Sequence, residues 1–265
     1  MSIHPRALIH PDARIGKECV IGPDVIIDQN VVIGDRCDIR ARAILTGHTT
    51  LGDDNQIGYQ SILGAEPQDL SYRGAATRLV IGHRNTIREN VTIHRGTAEG
   101  SETRLGDDNY LMAGSHVAHN CTLGNHIILV NNVLLGGYVE VHDFAFVGGD
   151  VVAHQFVRIG CYVMVRGQTR LGMDVPPYAM AAFTNTVCGL NLVGLKRRGF
   201  DAKRRRRIRE AFDLIYHRGL NRLQALEALR ALPRSEPDDL APLISFLDQT
   251  RRGFCRFGKA DSKEE

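Results

Sequence analysis

The sequence contains no tryptophan, and aromatic residues make up only 6% of its 265 positions. That composition suits a core of isoleucine, leucine and valine. No apolar run approaches the roughly 20 residues that a membrane-spanning helix needs. The N-terminal segment MSIHPRALIHPDARIG also lacks the apolar core of a secretory signal. We therefore expect a cytoplasmic protein with no membrane span.

The sequence also lacks a strong charge of one sign. Charged residues make up 24% of the chain and the net charge is +3, so its composition does not indicate a nucleic-acid binder. The chain has six cysteines, and no two of them have the spacing of metal ligands. We expect buried thiols and no bound metal.

A repeat with a period of six residues is the main feature of the sequence. Its first position is occupied by Ile9, Ile15, Ile21, Ile27, Ile33, Ile39, Leu45, Leu51, Ile57 and Leu63, and the pattern resumes from Ile81 to Leu171. A period of six is neither the 3.6 of a helix nor the two of a long strand. It predicts short strands joined by tight turns, with glycine, Asp and Asn supplying the backbone freedom of the corners.

Three such hexads would close one triangular coil, and stacked coils would form a parallel β-helix with the aliphatic residues inside. Small residues four places further on, such as Cys19 and Ala43, are expected to share that interior. The general rule for parallel crossovers favours a right-handed path.

The predicted β-helix covers residues 1–188, with loop excursions near 64–80 and 96–104. Pro176 and Pro177, in DVPPYAMA, are expected to end the coils. Apolar residues at helical spacing predict a small helical domain over 189–258, with helices near 201–217, 221–232 and 237–251. Asp201 is a candidate N-cap and Gly219 a candidate stop. Residues 259–265 are expected to form a disordered tail.

A basic run, KRRRR, occupies residues 203–207. Such a run is most often a solvated helix face, and contact with phosphates or with an acidic carrier protein is a further interpretation. Nucleic-acid binding is not favoured.

The candidate chemistry centres on His119 and Gly137, which lie three hexads apart and should therefore be neighbours on adjacent coils, about 5 Å apart. An imidazole can remove a proton from an attacking hydroxyl at neutral pH. A glycine N–H can bind the oxyanion of a tetrahedral intermediate. A simpler interpretation is that His119 is a structural residue in a turn. A third interpretation is metal binding by His116 and His119, in the segment HVAH, although on a β-coil the two side chains need not converge.

The hexads resemble those of the hexapeptide-repeat acyltransferases, whose prisms coil left-handed. The segments HVAHNCTLGN, GGYVEVHDFAFVGG, VVAHQFVRIG, DVPPY and GLNLVGLKRRGF are similar to the bacterial UDP-N-acetylglucosamine O-acyltransferases over essentially the whole chain. This resemblance implies transfer of a 3-hydroxyacyl group to the 3-position of UDP-N-acetylglucosamine, the first step of lipid A synthesis. The donor would be the phosphopantetheine thioester of acyl carrier protein, no cofactor would be bound, and the enzyme would be a homotrimer.

The resemblance also implies roles for individual residues. His119 matches the catalytic base, Gly137 the oxyanion donor, and Asn120 the residue that orients the base. Gly167 lies near the position that measures acyl length. Positions that match substrate-binding residues are Asp69, His94, His116, His154, Gln155, Asn191, Arg197 and Arg198.

Four positions depart from the family pattern. Asn120 stands where Asp is frequent, Tyr138 where many relatives have histidine, Ser71 where Lys is common, and Val193 where relatives have Glu. These departures leave open an acceptor sugar with an amine at carbon 3. Two further alternatives are the related UDP-3-O-acylglucosamine N-acyltransferase and a non-catalytic assembly protein built on the same solenoid.

Overall fold

The computed structural model describes residues 1–233 and 236–258. Over those residues the chain winds through short strands, and every third strand returns to the same sheet beside the strand from the previous coil. Three sheets result, so the coils form a triangular parallel β-helix, and the predicted fold class is confirmed. No helix in the described residues is long and apolar enough to cross a membrane.

We call the three sheets the first, second and third faces. The first face contains Ser2–Ile3, Val20–Ile21, Asp38–Ile39, Gln56–Ile57, Thr86–Ile87, Tyr110–Leu111, Ile128–Leu129, Phe146–Val147, Met164–Val165, Ala179–Ala182, Thr186–Leu190 and Arg256–Phe257. The second contains Leu8–Ile9, Ile26–Ile27, Ile44–Leu45, Ile62–Ala65, Thr92–His94, His116–Val117, Leu134–Leu135, Val152–Ala153 and Arg170–Leu171. The third contains Arg14–Ile15, Val32–Ile33, His48–Leu51, Arg78–Ile81, Glu102–Leu105, Thr122–Leu123, Glu140–Val141 and Arg158–Ile159.

The register between coils follows the predicted three hexads. Ile9 pairs with Ile27 and Ile27 pairs with Leu45, and the side chains of Ile27 and Leu45 are almost fully buried. The two excursions lengthen their coils, since Leu51 pairs with Ile81 and Ile81 pairs with Leu105. The positions four residues after each repeating aliphatic residue are interior as predicted, because Cys19 and Ala43 are fully buried. Of the six cysteines, which are all free, Cys161 and Cys188 are only partly buried.

The corners are built differently from the prediction. The glycine that follows the inward aliphatic residue does not supply a left-handed turn. At Gly34 a Cβ atom would lie 2.6 Å from the carbonyl carbon of Gly52 on the next coil, so the missing side chain allows close stacking. The left-handed conformation falls two residues later and is carried by ordinary residues, such as Arg36 with φ +55°. The N–H of Arg36 donates to the carbonyl of Lys17, which helps to offset the strain.

The prolines do not end the coils. Ala179–Ala182 still pairs in parallel with Met164–Val165, because Pro176 and Pro177 lie in the connection before that strand, where no ladder N–H is needed. The chain then reverses into the antiparallel strand Thr186–Leu190, which crosses the predicted boundary at residue 188.

Four helices follow: α1 (Leu192–Arg197), α2 (Ala202–Tyr216), α3 (Arg222–Ala231) and α4 (Ala241–Gln249). The last three match the predicted helices, whereas α1 was not predicted. Asp201 caps α2 as expected, its side chain accepting from the N–H of Arg204 at 2.8 Å. Gly219 adopts φ +65° just beyond α2. The strand Arg256–Phe257 then returns to the first face. The predicted tail, 259–265, lies outside the described residues.

The basic run at the start of α2 has a structural role. Arg204 forms a two-pronged ion pair with Asp239, at 2.8 and 2.6 Å, and its guanidinium lies 3.8 Å from the centre of the Phe200 ring. Asp239 is only 4% exposed. Arg205 donates to the Phe200 carbonyl. These contacts attach the start of α2 to the residue before the helix, Phe200, and to the segment before α4, which contains Asp239. The basic run is therefore not simply a solvated face.

Candidate active site

His119 lies at the corner that joins the second face to the third, directly after the strand His116–Val117. We call this the second corner. His119 as a whole is only 8% exposed. Gly137 occupies the equivalent place one coil later, and a Cβ atom on it would lie 2.6 Å from Nε2 of His119. The structure therefore places the imidazole directly against the Gly137 backbone, which is the adjacency that a coil of three hexads predicted.

The N–H of Gly137 differs from the corresponding N–H groups at another corner of the coil. At the corner that joins the third face to the first, the equivalent N–H groups donate to a side chain one coil on, as Lys17 does to Asp35 at 2.7 Å and Asp35 does to Asp53 at 2.8 Å. Within the described residues the Gly137 N–H makes no such bond, and only its carbonyl is used, accepting from Phe156. A donor beside the imidazole is thus left for a ligand atom.

Asn120 determines which nitrogen of His119 carries the proton. Oδ1 of Asn120 lies 3.1 Å from Nδ1 of His119 and 3.1 Å from the backbone N–H of Thr97. That N–H can only donate, so the atom facing it must be the amide oxygen. Because an oxygen without a proton can only accept, Nδ1 of His119 carries the hydrogen. Nε2 is left with a free lone pair on the side of Gly137.

Two hydroxyl groups support this arrangement. The Thr97 hydroxyl donates to Asn120 Oδ1 at 2.8 Å, and it lies 3.0 Å from the hydroxyl of Tyr138. The Tyr138 ring stands edge-on to the His119 ring, with centroids 5.4 Å apart, and it stacks on Phe156 at 4.8 Å. The half-exposed ring of Tyr138, the residue after Gly137, thus forms one wall of the site beside the imidazole.

The first excursion brings Asp69 to the same corner. Its Oδ2 lies 3.9 Å from Nε2 of His119. The hydroxyl and the N–H of Ser71 both donate to Asp69 Oδ1, at 2.7 and 2.8 Å, and these bonds lower the pKa of the carboxyl group, with a smaller contribution from His119. Arg95 anchors the loop by donating to the Gly64 carbonyl and to the hydroxyl of Tyr72. A fixed carboxylate therefore faces the imidazole.

His94 and His116 lie on the strands that lead into this corner, with ring centroids 5.1 Å apart. Nδ1 of His116 is 2.7 Å from the Thr92 hydroxyl. Burial, and then the neighbouring His116, lower the pKa of His94 to about 4. Burial, and then His119, lower the pKa of His116. Nδ1 of His94 is buried and has no hydrogen-bond partner. Both rings are thus held neutral near pH 7.

His154 and Gln155 lie one coil beyond Gly136 and Gly137, on the same corner. Both side chains are exposed. Nδ1 of His154 approaches the Gln155 carbonyl at 3.1 Å, and that carbonyl also accepts from Arg252, which follows α4. These two residues extend the corner towards the C-terminal segment without contacting His119.

The structure does not bring the remaining predicted residues to this corner of the same chain. Arg197 and Arg198, at the end of α1, line a cleft of about 500 Å³ beside the outer side of the first face. Arg198 lies 4.7 Å above the Phe144 ring. Asn191 lines the cleft too, but its side chain caps α1 through Gly194 and donates to the Tyr162 carbonyl. Its structural role was not predicted.

Gly167 lies at the corner between the first and second faces, where a Cβ atom would meet the Gly149 carbonyl at 3.2 Å. It is exposed and so close to the preceding coil that a larger side chain would be crowded. One chain therefore carries the predicted residues as three separate groups.

Sequence reasoning missed Thr97 and Thr92, because the second excursion changes the register between their coil and the next. Their signal lies in the lengthened spacing, since Thr92 pairs with His116 four hexads along the chain rather than three. The structure offers no set of ligands for the metal-binding interpretation. Among residues 1–233 and 236–258, no group of three or more His, Cys, Asp or Glu could hold an ion.

Comparison with known proteins identifies the family. An acyl-[acyl-carrier-protein]–UDP-N-acetylglucosamine O-acyltransferase from Verminephrobacter eiseniae is 44% identical over 218 residues, which cover 80% of this chain and 83% of that protein. This chain belongs to that family. A Burkholderia vietnamiensis protein of the same name is 44% identical over 78% of this chain and 80% of its own length.

Family profiles and solved structures agree. The profile described as UDP N-acetylglucosamine O-acyltransferase, domain 2, matches residues 174–255, and a bacterial transferase hexapeptide profile matches 102–137. A profile described as a GMPPB C-terminal domain matches 3–98. The structure of LpxA from Acinetobacter baumannii superposes with a TM-score of 0.92 at 37% identity, covering 97% of this chain and 100% of that one. An Arabidopsis UDP-N-acetylglucosamine acyltransferase gives 0.83 at 31%, over 96% and 100%.

Proposed function

We propose that this protein transfers a 3-hydroxyacyl group from acyl carrier protein to the 3-hydroxyl of UDP-N-acetylglucosamine, the first step of lipid A synthesis, in the cytoplasm. The family name gives the substrates. The observation that carries the mechanism is the free lone pair of His119 Nε2 beside the unused N–H of Gly137. A base and an oxyanion donor a few ångströms apart are the minimum that a direct acyl transfer requires.

The reaction follows from that geometry. Nε2 of His119 removes the proton of the sugar hydroxyl as its oxygen attacks the thioester carbonyl carbon. The carbonyl oxygen becomes an oxyanion and accepts from the N–H of Gly137. Collapse of the tetrahedral intermediate breaks the carbon–sulfur bond, and the imidazolium returns the proton to the departing thiolate. Throughout, the Nδ1–H of His119 donates to Asn120, which holds the ring in place.

The acceptor side of the site is formed by polar groups that stay in one charge state. Asp69 remains a carboxylate, because its bonds with Ser71 lower its pKa, and it can accept from sugar hydroxyl groups. His94 and His116 remain neutral, so each can offer a donor or an acceptor without repelling an imidazolium at His119. We propose that these three residues position the sugar, with His154 and Gln155 further along the corner.

A homotrimer would bring the separated groups together. The first and second faces carry exposed apolar side chains, including Val20, Leu134 and Val152, whereas the outward positions of the third face include Arg104 and Glu140. Packing the first face of one subunit against the second face of the next buries those side chains.

The same packing would set Arg197 and Arg198 of one subunit near His119 of another. Two guanidinium groups suit the diphosphate of the nucleotide. The groove between the two faces would then lead the acyl chain towards Gly167.

The decisive experiment is the His119→Ala variant, assayed with 3-hydroxyacyl carrier protein. Both UDP-N-acetylglucosamine and its 3-amino analogue should be offered as acceptors, with the products identified by mass spectrometry. We expect the parent protein to acylate the hydroxyl sugar, and the variant to retain its trimeric state but less than about 1% of the turnover. Full activity of the variant would end the proposed mechanism. Turnover by the parent with the amine alone would move the acceptor to the 3-amino sugar.

A further inference from the structure

The feature that needs explaining is the choice of orientation at Asn120. An amide has two ends of nearly the same shape and opposite hydrogen-bonding character. Only the oxygen, facing His119, forces the proton onto Nδ1 and frees Nε2. If the amide turned over, its NH₂ group would donate to Nδ1, the proton would move to Nε2, and the base would be lost. A carboxylate in that place would need no such control, because its two oxygens are equivalent.

The groups that make the choice come from Thr97, in the second excursion. Its N–H and its hydroxyl both lie within hydrogen-bond distance of Asn120 Oδ1, at 3.1 and 2.8 Å. The reversed amide would set its own NH₂ against that N–H. The N–H of Asn120 is itself held by the hydroxyl of Thr103 at 2.8 Å, which fixes the backbone from which the amide projects.

The Thr97 hydroxyl also fixes the direction of its contact with Tyr138. A hydroxyl has one proton, and Thr97 gives it to Asn120 Oδ1. The contact of 3.0 Å with the Tyr138 hydroxyl must therefore run the other way, with Tyr138 donating. The hydrogen bonds thus run in one direction, from Tyr138 through Thr97 to Asn120, and His119 donates to Asn120 from the other side.

We infer that Thr97 is a positioning residue for His119, and that Tyr138 acts on the base through the hydroxyl of Thr97. The inference rests on the proposed function, in which Nε2 of His119 is the base. It gives the two unusual side chains of this corner one explanation: the neutral amide of Asn120 requires a neighbour that selects its oxygen, and the hydroxyl of Tyr138 supports that neighbour.

The test is a cycle of variants measured by steady-state kinetics. Thr97→Val removes the hydroxyl and keeps the shape and the N–H. We expect kcat to fall about three- to tenfold, with the KM of both substrates changed by less than about twofold. Thr97→Ser should restore kcat to within about twofold. In the Asn120→Asp background, Thr97→Val should lower kcat by less than about twofold, because the two oxygens of a carboxylate are equivalent and neither has to be selected.

Tyr138→Phe keeps the stacked ring and removes the donor. It should lower kcat less than Thr97→Val does, and it should have no added effect when combined with Thr97→Val. An equal loss from Thr97→Val in the parent and the Asn120→Asp backgrounds would overturn the inference, because a purely structural role predicts that equality. So would a failure of Thr97→Ser to restore activity.

A second measurement does not depend on turnover. Nitrogen-15 spectra of histidine-labelled protein distinguish the two imidazole tautomers, and the His119 signals are identified by their loss in His119→Ala. We expect the Nδ1–H form in the parent and a mixture in Thr97→Val. An unchanged tautomer in that variant refutes the role of the Thr97 hydroxyl and with it the role of Tyr138, whereas an inactive parent with the expected tautomers refutes only the proposed function.

Discussion

Replacing Gly137 by alanine tests the contact on which the site depends. The added Cβ atom would lie 2.4 Å from Cε1 and 2.6 Å from Nε2 of His119, whereas ordinary contacts begin near 3.4 Å. The imidazole must therefore retreat by about 1 Å or rotate away, because the Gly137 backbone is held by the coils on both sides. A displacement of about 1 Å can cost about a hundredfold in rate. We expect kcat to fall by about that factor and the KM for the sugar nucleotide to stay nearly constant.

The assay is initial-rate acyl transfer from 3-hydroxyacyl carrier protein, with thermal unfolding measured in parallel. Crowding should cost about 1–3 kcal/mol of stability, so the variant still folds. Gly172→Ala is the matched control, because a Cβ atom there would meet only the end of the Asn185 side chain, at 3.5 Å. A Gly137→Ala protein that keeps more than half of the parent kcat would show that the imidazole does not act where the structure places it.

Two further predictions concern stability. The pKa of His94 is lowered to about 4 in the folded protein, so the unfolded chain protonates this histidine at a higher pH than the folded protein does. The free energy of unfolding should therefore drop by about 3 kcal/mol as the pH falls from 6.5 to 4. Urea unfolding of His94→Gln should lack this part of the pH dependence, and identical curves for the two proteins would contradict the assignment. Arg204→Ala leaves the buried Asp239 unpaired and should cost about 3 kcal/mol in thermal unfolding. The exposed Arg206→Ala is its control, and equal losses from both would argue against a structural role for the ion pair.

The sequence was most informative where the structure is periodic. An aliphatic residue every six positions predicts both the strand and its inward side, and three hexads per coil predict which residues stack. The contact between His119 and Gly137 therefore followed from counting alone. The helices α2, α3 and α4 were also predictable, because each buries one apolar stripe.

Sequence reasoning failed at corners and connections, where the residue type alone does not show how the backbone turns. The corner glycines were expected to make turns, but they allow backbones to stack closely, and non-glycine residues such as Arg36 adopt the left-handed conformation. The prolines were expected to end the β-helix, but they lie in a connection. The short helix α1 was missed, since six residues carry too little periodicity to predict it.

The sequence by itself determined the coil, the residues that line its interior and the two residues that meet at the second corner, because a strict repeat converts distance along the chain into position in space. Only the tertiary structure decided the tautomer of His119, the two hydroxyl groups behind Asn120 and the carboxylate of Asp69 that faces the imidazole. Those contacts join excursions of irregular length to a regular coil, and no repeat specifies where an irregular loop will return.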